Sequence, residues 1–251
     1  MTRTVRLLGL DFADLRVEEA ARWVLDRPAG GPFDFVVTPN ADHLVRLAHD
    51  PALPAIYRDA ALRLLDSRVV ARAARAIGLP APPVVTGSDL TATLLQRLPP
   101  GERVTIIGLR SAWLPALIAR TGIAPPAHLD PPFGFDADAA AMDSAVRFVL
   151  EHPARLTFLA VGSPRQERLA AAVKATGRAS GLALCIGSSL EFAAGVVPRA
   201  PRWMQAAGFE WLHRLGRDPG RLAHRYLARD PAIFPLLVGE RWRRIGGAVP
   251  Q

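Results

Sequence analysis

Leu156-Thr157-Phe158-Leu159-Ala160-Val161 leads straight into Gly162-Ser163-Pro164-Arg165-Gln166-Glu167, and the fold is read from this junction. Six uncharged residues closed by a glycine form a short apolar run of strand length. The turn after it suits a strand-to-helix passage, with Pro164 fitted to the first helical position and a helical pattern over 164–177. Leu182–Ile186 then repeats the strand signature. Working outward, Phe33–Val37, Ala61–Leu65 and Val104–Leu109 have the same character. Each is mainly apolar, with Asp34 and Arg63 the charged exceptions, and reads as a buried run, as in a parallel sheet covered on both faces. Helical patterns fall near 14–26, 40–49, 68–77, 88–98, 111–121 and 136–151. This alternation predicts an α/β fold with a doubly wound, mainly parallel sheet. The segment from Pro125-Pro126 to Pro131-Pro132 reads as a rigid loop. Pro198 to Pro201 reads as a boundary, dividing an α/β core (1–197) from a helical appendage (198–251).

Half of the 251 residues are apolar, enough for a sizeable core. The formal charge is +8, and the basic side is almost all arginine, Lys174 being the only lysine. Residues 199–251 hold ten Arg against four acids, together with three of the five Trp. The body is close to balanced, so a nucleic-acid partner is not expected. In the tail, Arg199-Ala200-Pro201-Arg202-Trp203, Trp211, Arg214, Arg221 and Arg225-Tyr226 interleave cations with large apolar groups. That mixture suits a surface both anionic and apolar, such as a phospholipid headgroup layer; the alternative is a basic helical hairpin packed on the core. Cys185, the only cysteine, reads as a core hydrophobe. Arg3, Arg6 and Asp11 interrupt the first apolar stretch, and no run approaches the ~20 apolar residues of a spanning helix. The expectation is a cytoplasmic protein or one resting on a membrane without crossing it.

Ligands of open α/β sheets bind at the carboxyl ends of the strands. There the sequence offers Thr38-Pro39-Asn40-Ala41-Asp42-His43, Asp66-Ser67, Gly162 to Glu167 and Gly187-Ser188-Ser189-Leu190-Glu191. Asp66 could take a proton from an attacking hydroxyl, or could cap the helix beginning near Arg68. Backbone N–H groups at 162–165 and 187–189 could receive a phosphate. Gln166 and Glu167 could reach into the crevice or simply fill the first helical turn. Thr86-Gly87-Ser88-Asp89 opens a helix, with Ser88 the simplest N-cap. Asp136-Ala137-Asp138 matches a metal-binding D-x-D triplet, but it also begins a helix, where acids are favoured by the dipole. The six histidines lack metal-ligand spacing.

Together, Thr38 to His43, Asp66, Thr86 to Leu90, Gly162 to Glu167, Phe192-Ala193-Ala194-Gly195 and the Arg199–Tyr226 tail resemble the bacterial WecG/TagA/CpsF glycosyltransferases, in register over about 33–238. The resemblance implies a Rossmann-like fold with a basic, amphipathic C-terminal appendage that completes the site and docks at the inner leaflet. It implies an inverting transfer from a UDP-sugar to a polyprenyl-diphosphate-linked sugar, without a cofactor or a D-x-D metal. Asp66 then corresponds to the general base. Thr38, Asn40, Ser67, Gly87, Ser88, Gly162, Pro164, Arg165, Gln166, Gly187 and Glu191 fall on substrate-binding positions. Arg199, Arg202, Trp203, Trp211, Arg214, Arg221 and Arg225 fall on the lipid-diphosphate and membrane side. A homo-oligomer, through the tail's apolar face, is a further expectation.

The chain departs from the family pattern in three places. Ser67 stands where glycine is usual, which would strain a turn requiring positive φ. Val84 replaces an arginine two residues before the Thr86-Gly87-Ser88-Asp89 element, and Glu191 replaces a common Asp. The first two raise a second expectation, a catalytically weak paralogue that binds UDP-sugar or lipid in a synthesis complex.

Overall fold

The computed structural model describes residues 2–246, apart from the side chain of Arg221. It opens with a hairpin, β1 (Thr4–Leu7) and β2 (Leu10–Ala13), whose two-residue turn has Leu8 and Gly9 both at positive φ. The first thirteen residues contain no strand in the sequence reading. Leu7, Leu10 and Phe12 are buried, so the charges at 6 and 11 mark an alternating two-sided ribbon.

The elements that follow are α1 (Val17–Leu25), β3 (Asp34–Val37), α2 (Ala41–His49), α3 (Leu53–Asp59), β4 (Leu62–Arg63), α4 (Arg68–Ala76), α5 (Gly87–Arg97) and β5 (Val104–Gly108). Then come α6 (Leu114–Thr121), β6 (Ala127–Leu129), α7 (Ala139–Glu151), β7 (Leu156–Ala160), α8 (Arg165–Ala175), β8 (Leu182–Cys185) and α9 (Ser189–Ala193). The six strands from β3 onward form one parallel sheet in the order β4-β3-β8-β7-β5-β6. The doubly wound expectation is met. β5 and β8 are buried throughout, and two apolar clusters cover the faces of the sheet. β6 lies within the stretch read as a loop: flanking prolines concealed three residues that donate to only one neighbour as an edge strand.

Beyond 198 the chain forms α10 (Arg202–Ala207), α11 (Glu210–Arg217), α12 (Pro219–Ala223), a π-helical turn His224–Arg229 and α13 (Ile233–Gly246). The boundary expected at 197/198 does not separate this whole segment from the core. Ile233 and Leu237 on α13 are 1% exposed and belong to the main apolar cluster. Glu240, one turn further on, accepts the backbone N–H of Leu8. α10 to the π-turn instead pass over the carboxyl ends of β3, β4, β7 and β8.

Candidate active site

A cleft of about 780 Å³ opens where these strand ends meet the tail. The location follows from topology, because β3 and β8 are neighbours whose connections run to opposite sides of the sheet. Thr38, Asn40, Asp66, Ser67, Ser88, Gly162, Arg165, Gln166, Gly187 and Glu191 line it, as do Trp211, Arg214 and Arg225 from the tail. Residues from four strand ends and one appendage thus converge.

Asp66 lies at the floor. Its backbone N–H donates to Pro39 O at 2.9 Å, and its Oδ2 accepts the N–H of Gly87 at 3.0 Å. Burial pushes its carboxyl up to about 7, against the Gly87 hydrogen bond; Glu210 pushes the same way and Arg214 opposes it. Capping of α4 falls to Ser67, whose hydroxyl accepts from Val70 N at 3.2 Å, leaving the Asp66 carboxylate for the cleft. Ser67 has φ −159°, an extended backbone open to any residue, so serine in place of glycine carries no strain. Val84 packs against the core and bridges Leu65, away from the cleft lining.

The N-cap of α5 is Thr86, not Ser88: its hydroxyl accepts from Asp89 N at 3.0 Å and donates to the Asp89 carboxylate at 2.7 Å. Ser88 is thereby free to face the cleft beside Ser189, at 3.4 Å between hydroxyl oxygens. Gly87 lies behind the lining, and a Cβ there would fall 3.1 Å from Thr38 Oγ1 and 3.2 Å from Ser189 Oγ. Gly87→Ala should therefore displace the donor that holds Asp66. The expected result is a folded variant with turnover down about tenfold, as for one weakened bond to a charged group. Its pH–rate midpoint should move upward, because the carboxylate form loses stabilisation; an unchanged pH profile would refute the Gly87 role.

Gln166 is 1% exposed and oriented by two bonds: Gly187 N donates to its Oε1 at 2.9 Å, and its Nε2 donates to Glu167 Oε1 at 2.9 Å. The Gly187 N–H expected to receive a phosphate is thus already engaged. Pro164 is the residue before α8 rather than its first member, preceded by a cis peptide. Arg165 stacks on the exposed ring of Phe133, 4.6 Å from its centroid. The D-x-D carboxylates serve locally, Asp136 pairing with Arg168 at 3.1 Å and Asp138 capping α7.

The tail cations divide by geometry. Arg214 donates to Ser188 Oγ at 2.7 Å and lies over the Phe192 ring. Arg225 donates to Asn40 Oδ1 at 3.3 Å, and its Nε is 3.7 Å from both Asp42 and Asp230. Arg199, expected on the lipid side, is turned inward and pairs with Asp89 at 2.7 Å. Arg202 and Trp203 lie outside the cleft lining, Trp203 being 66% exposed. The side chain of Arg221 falls outside the described residues.

Sequence reading gave no role to Asp42, His43 or Glu210. Asp42, 1% exposed, faces Arg46 at 2.7 Å, Arg229 at 3.2 Å and Arg225. This cluster straps the π-turn to the first turn of α2. His43, in the cleft lining, is driven down to about 3 by burial and by Arg225, so its ring is neutral at physiological pH. Asp42 resembles an ordinary first-turn acid in sequence, and Glu210 an ordinary helix start; only their distant partners distinguish them.

A family model described as Glycosyl transferase WecG/TagA/CpsF family matches residues 5–246.

Proposed function

We propose, from the premise that this chain belongs to the WecG/TagA/CpsF family of glycosyltransferases, that it moves a sugar from a UDP-sugar to a polyprenyl-diphosphate-linked sugar with inversion. Membership itself makes it a glycosyltransferase of polysaccharide biosynthesis. The finer reading rests chiefly on Asp66, a carboxylate at a strand end with a carboxyl near 7, inside a cleft closed by cationic and aromatic tail residues. A base of that strength is about half ionised at neutral pH and well matched to accept a proton there.

In this mechanism the acceptor hydroxyl gives its proton to Asp66 as its oxygen attacks the anomeric carbon. The bond from that carbon to the diphosphate oxygen breaks on the opposite face, and UDP departs with the electron pair. Stabilising the leaving group falls to fixed positive charge and donors already in place. Arg214 fits this role because it lines the cleft and its hydrogen-bond partner, Ser188, is neutral. Neither Asp136 nor Asp138 is required in this scheme. Ser67 and Val84 occupy unstrained, packed positions, which favours an active enzyme over a weakened paralogue.

A lipid-borne acceptor fits the outer surface of the tail. No described helix is long and apolar enough to cross a membrane. α13 nevertheless exposes Phe234, Val238, Trp242 and Ile245 at i, i+4, i+8 and i+11, an apolar stripe accompanied by Arg241 and Arg243. Trp203, Phe209 and Leu212 add exposed apolar area nearby in sequence. Such surfaces suit docking on an anionic leaflet. We therefore place the enzyme at the inner face of the cytoplasmic membrane.

The test is UDP release from a panel of UDP-sugars, with and without a polyprenyl-diphosphate-linked sugar. Acceptor-dependent release is the expected result and would name the donor. UDP binding without release from any pair would favour the binding paralogue.

A further inference from the structure

We infer that Arg68 is a diphosphate-binding residue of the cleft, an assignment that rests on the sugar-nucleotide reading above. It follows from how the cations around the cleft are already engaged. Arg199 is paired with Asp89 at 2.7 Å, and Arg225 is shared among Asn40, Asp42 and Asp230. Arg214 is held by a neutral hydroxyl. A diphosphate brings at least two negative charges into this space, and the lining guanidiniums that no carboxylate pairs among the described residues are Arg68, Arg165 over Phe133, Arg214 and Arg217; of these Arg68 stands nearest Asp66 in the chain.

Arg68 is the first residue of α4, directly after the cap Ser67, and lines the cleft two residues from Asp66. Among the described residues no hydrogen bond or ion pair engages it. The contrast with Arg72, one turn along the same helix, is informative. Arg72 donates to the carbonyls of Ala206 and Ala207, closing the end of α10. Arg68 faces the same tail segment, its Cβ 3.6 Å from where a Cβ on Gly208 would lie, but has no carbonyl to bond. The residue is half-buried, and no carboxylate pairs with it among the described residues. Asp89 is close enough to feel that charge, but its carboxylate is already held by Arg199.

A guanidinium left without a partner at the edge of a cleft is available to an anionic ligand. Its planar fork matches two phosphate oxygens at once, which a point charge cannot do as well. Arg68 and Arg214, from α4 and α11, would then hold a diphosphate beside Asp66. That geometry fits the donor's diphosphate or the acceptor's, and the experiment separates them.

Full-length wild type, Arg68→Ala, Arg68→Lys and, as a charge control, Arg178→Ala in the exposed loop between α8 and β8 are compared. UDP and inorganic pyrophosphate binding are measured by calorimetry, and turnover by UDP release. Arg68→Ala should keep the wild-type melting temperature, since the side chain makes no protein hydrogen bond. Its UDP affinity should fall about tenfold or more, the loss expected for a charge-assisted pair, with partial recovery in Arg68→Lys. Unchanged UDP affinity with a tenfold higher KM for the lipid acceptor would assign Arg68 to the acceptor's diphosphate instead. Equal binding and equal KM in Arg68→Ala and Arg178→Ala would overturn the inference. Wild type that binds pyrophosphate through Arg68 but not UDP would sink the sugar-nucleotide reading and leave the diphosphate assignment standing. Wild type that binds neither probe would overturn both.

Discussion

Replacing Asp66 with asparagine is expected to cut turnover by about 10²- to 10⁴-fold, the usual worth of a positioned general base. The fold should survive, because an amide oxygen can still accept the Gly87 N–H that the carboxylate accepts now. The pH dependence carries the sharper signature. With its carboxyl at about 7, the ionised fraction of Asp66 rises about tenfold from pH 6 to pH 8, and kcat/KM should rise with it. The residual rate of Asp66→Asn should be flat over that range.

Stability should move the other way. Burial raises the Asp66 carboxyl from its usual 3.8 to about 7, so between those values the folded state binds more protons than the unfolded chain. The favourable contribution is fully present below about pH 4, falls as pH rises and is lost above about 7. Asp66→Asn should therefore melt higher than wild type at pH 8 and no higher at pH 4. A variant with wild-type turnover would move the base elsewhere. Glu210, the carboxylate from α11 that raises Asp66, is the next to test.

The two faces of α13 should give opposite results. Leu237→Ala removes a side chain that is 1% exposed within the main cluster, at a cost of about 2–5 kcal/mol. For a chain of this size that lowers the melting temperature by about 10 °C. Truncation before Ile233 would remove Ile233, Leu237 and the Glu240 contact to Leu8 together, so loss of activity there would report unfolding. On the outer face, Val238→Glu with Trp242→Glu changes residues that are 45% and 68% exposed. Melting should be nearly unchanged, while binding to vesicles rich in phosphatidylglycerol should fall about tenfold or more. Unchanged vesicle binding by a folded double variant would remove α13 from the proposed docking surface.

Much of the architecture was legible locally. The runs at 33–37, 104–109, 156–161 and 182–186 became β3, β5, β7 and β8 because a mainly apolar run of strand length is what a doubly covered strand requires. The run at 61–65 shrank to the two residues of β4, an edge strand with hydrogen-bonding partners on one side only. Strand-end residues were legible too, since topology sends every βα turn of a parallel sheet to the same side. The hairpin at 4–13 and β6 were not, since charge and proline masked short edge segments.

Composition marked the tail as cationic and apolar without assigning its individual side chains. Arg199 and Arg214 look equivalent in sequence, yet one meets a carboxylate 110 residues away and the other a serine hydroxyl in the cleft. The same holds for α13, whose apolar positions are equally hydrophobic on paper although Leu237 is in the core and Trp242 in solvent. Asp66 could be read alone as a cap or a base. Its desolvation, the Gly87 N–H 21 residues on and the opposing Arg214 and Glu210 give it a carboxyl near 7. By itself the sequence determined the alternation of the central strands with their helices and the end of the sheet that carries chemistry, because periodicity and propensity act between near neighbours. Which charges are neutralised, which face of the last helix is buried and how strong a base Asp66 is were decided only by tertiary structure, because Coulomb energy and desolvation depend on distance through space.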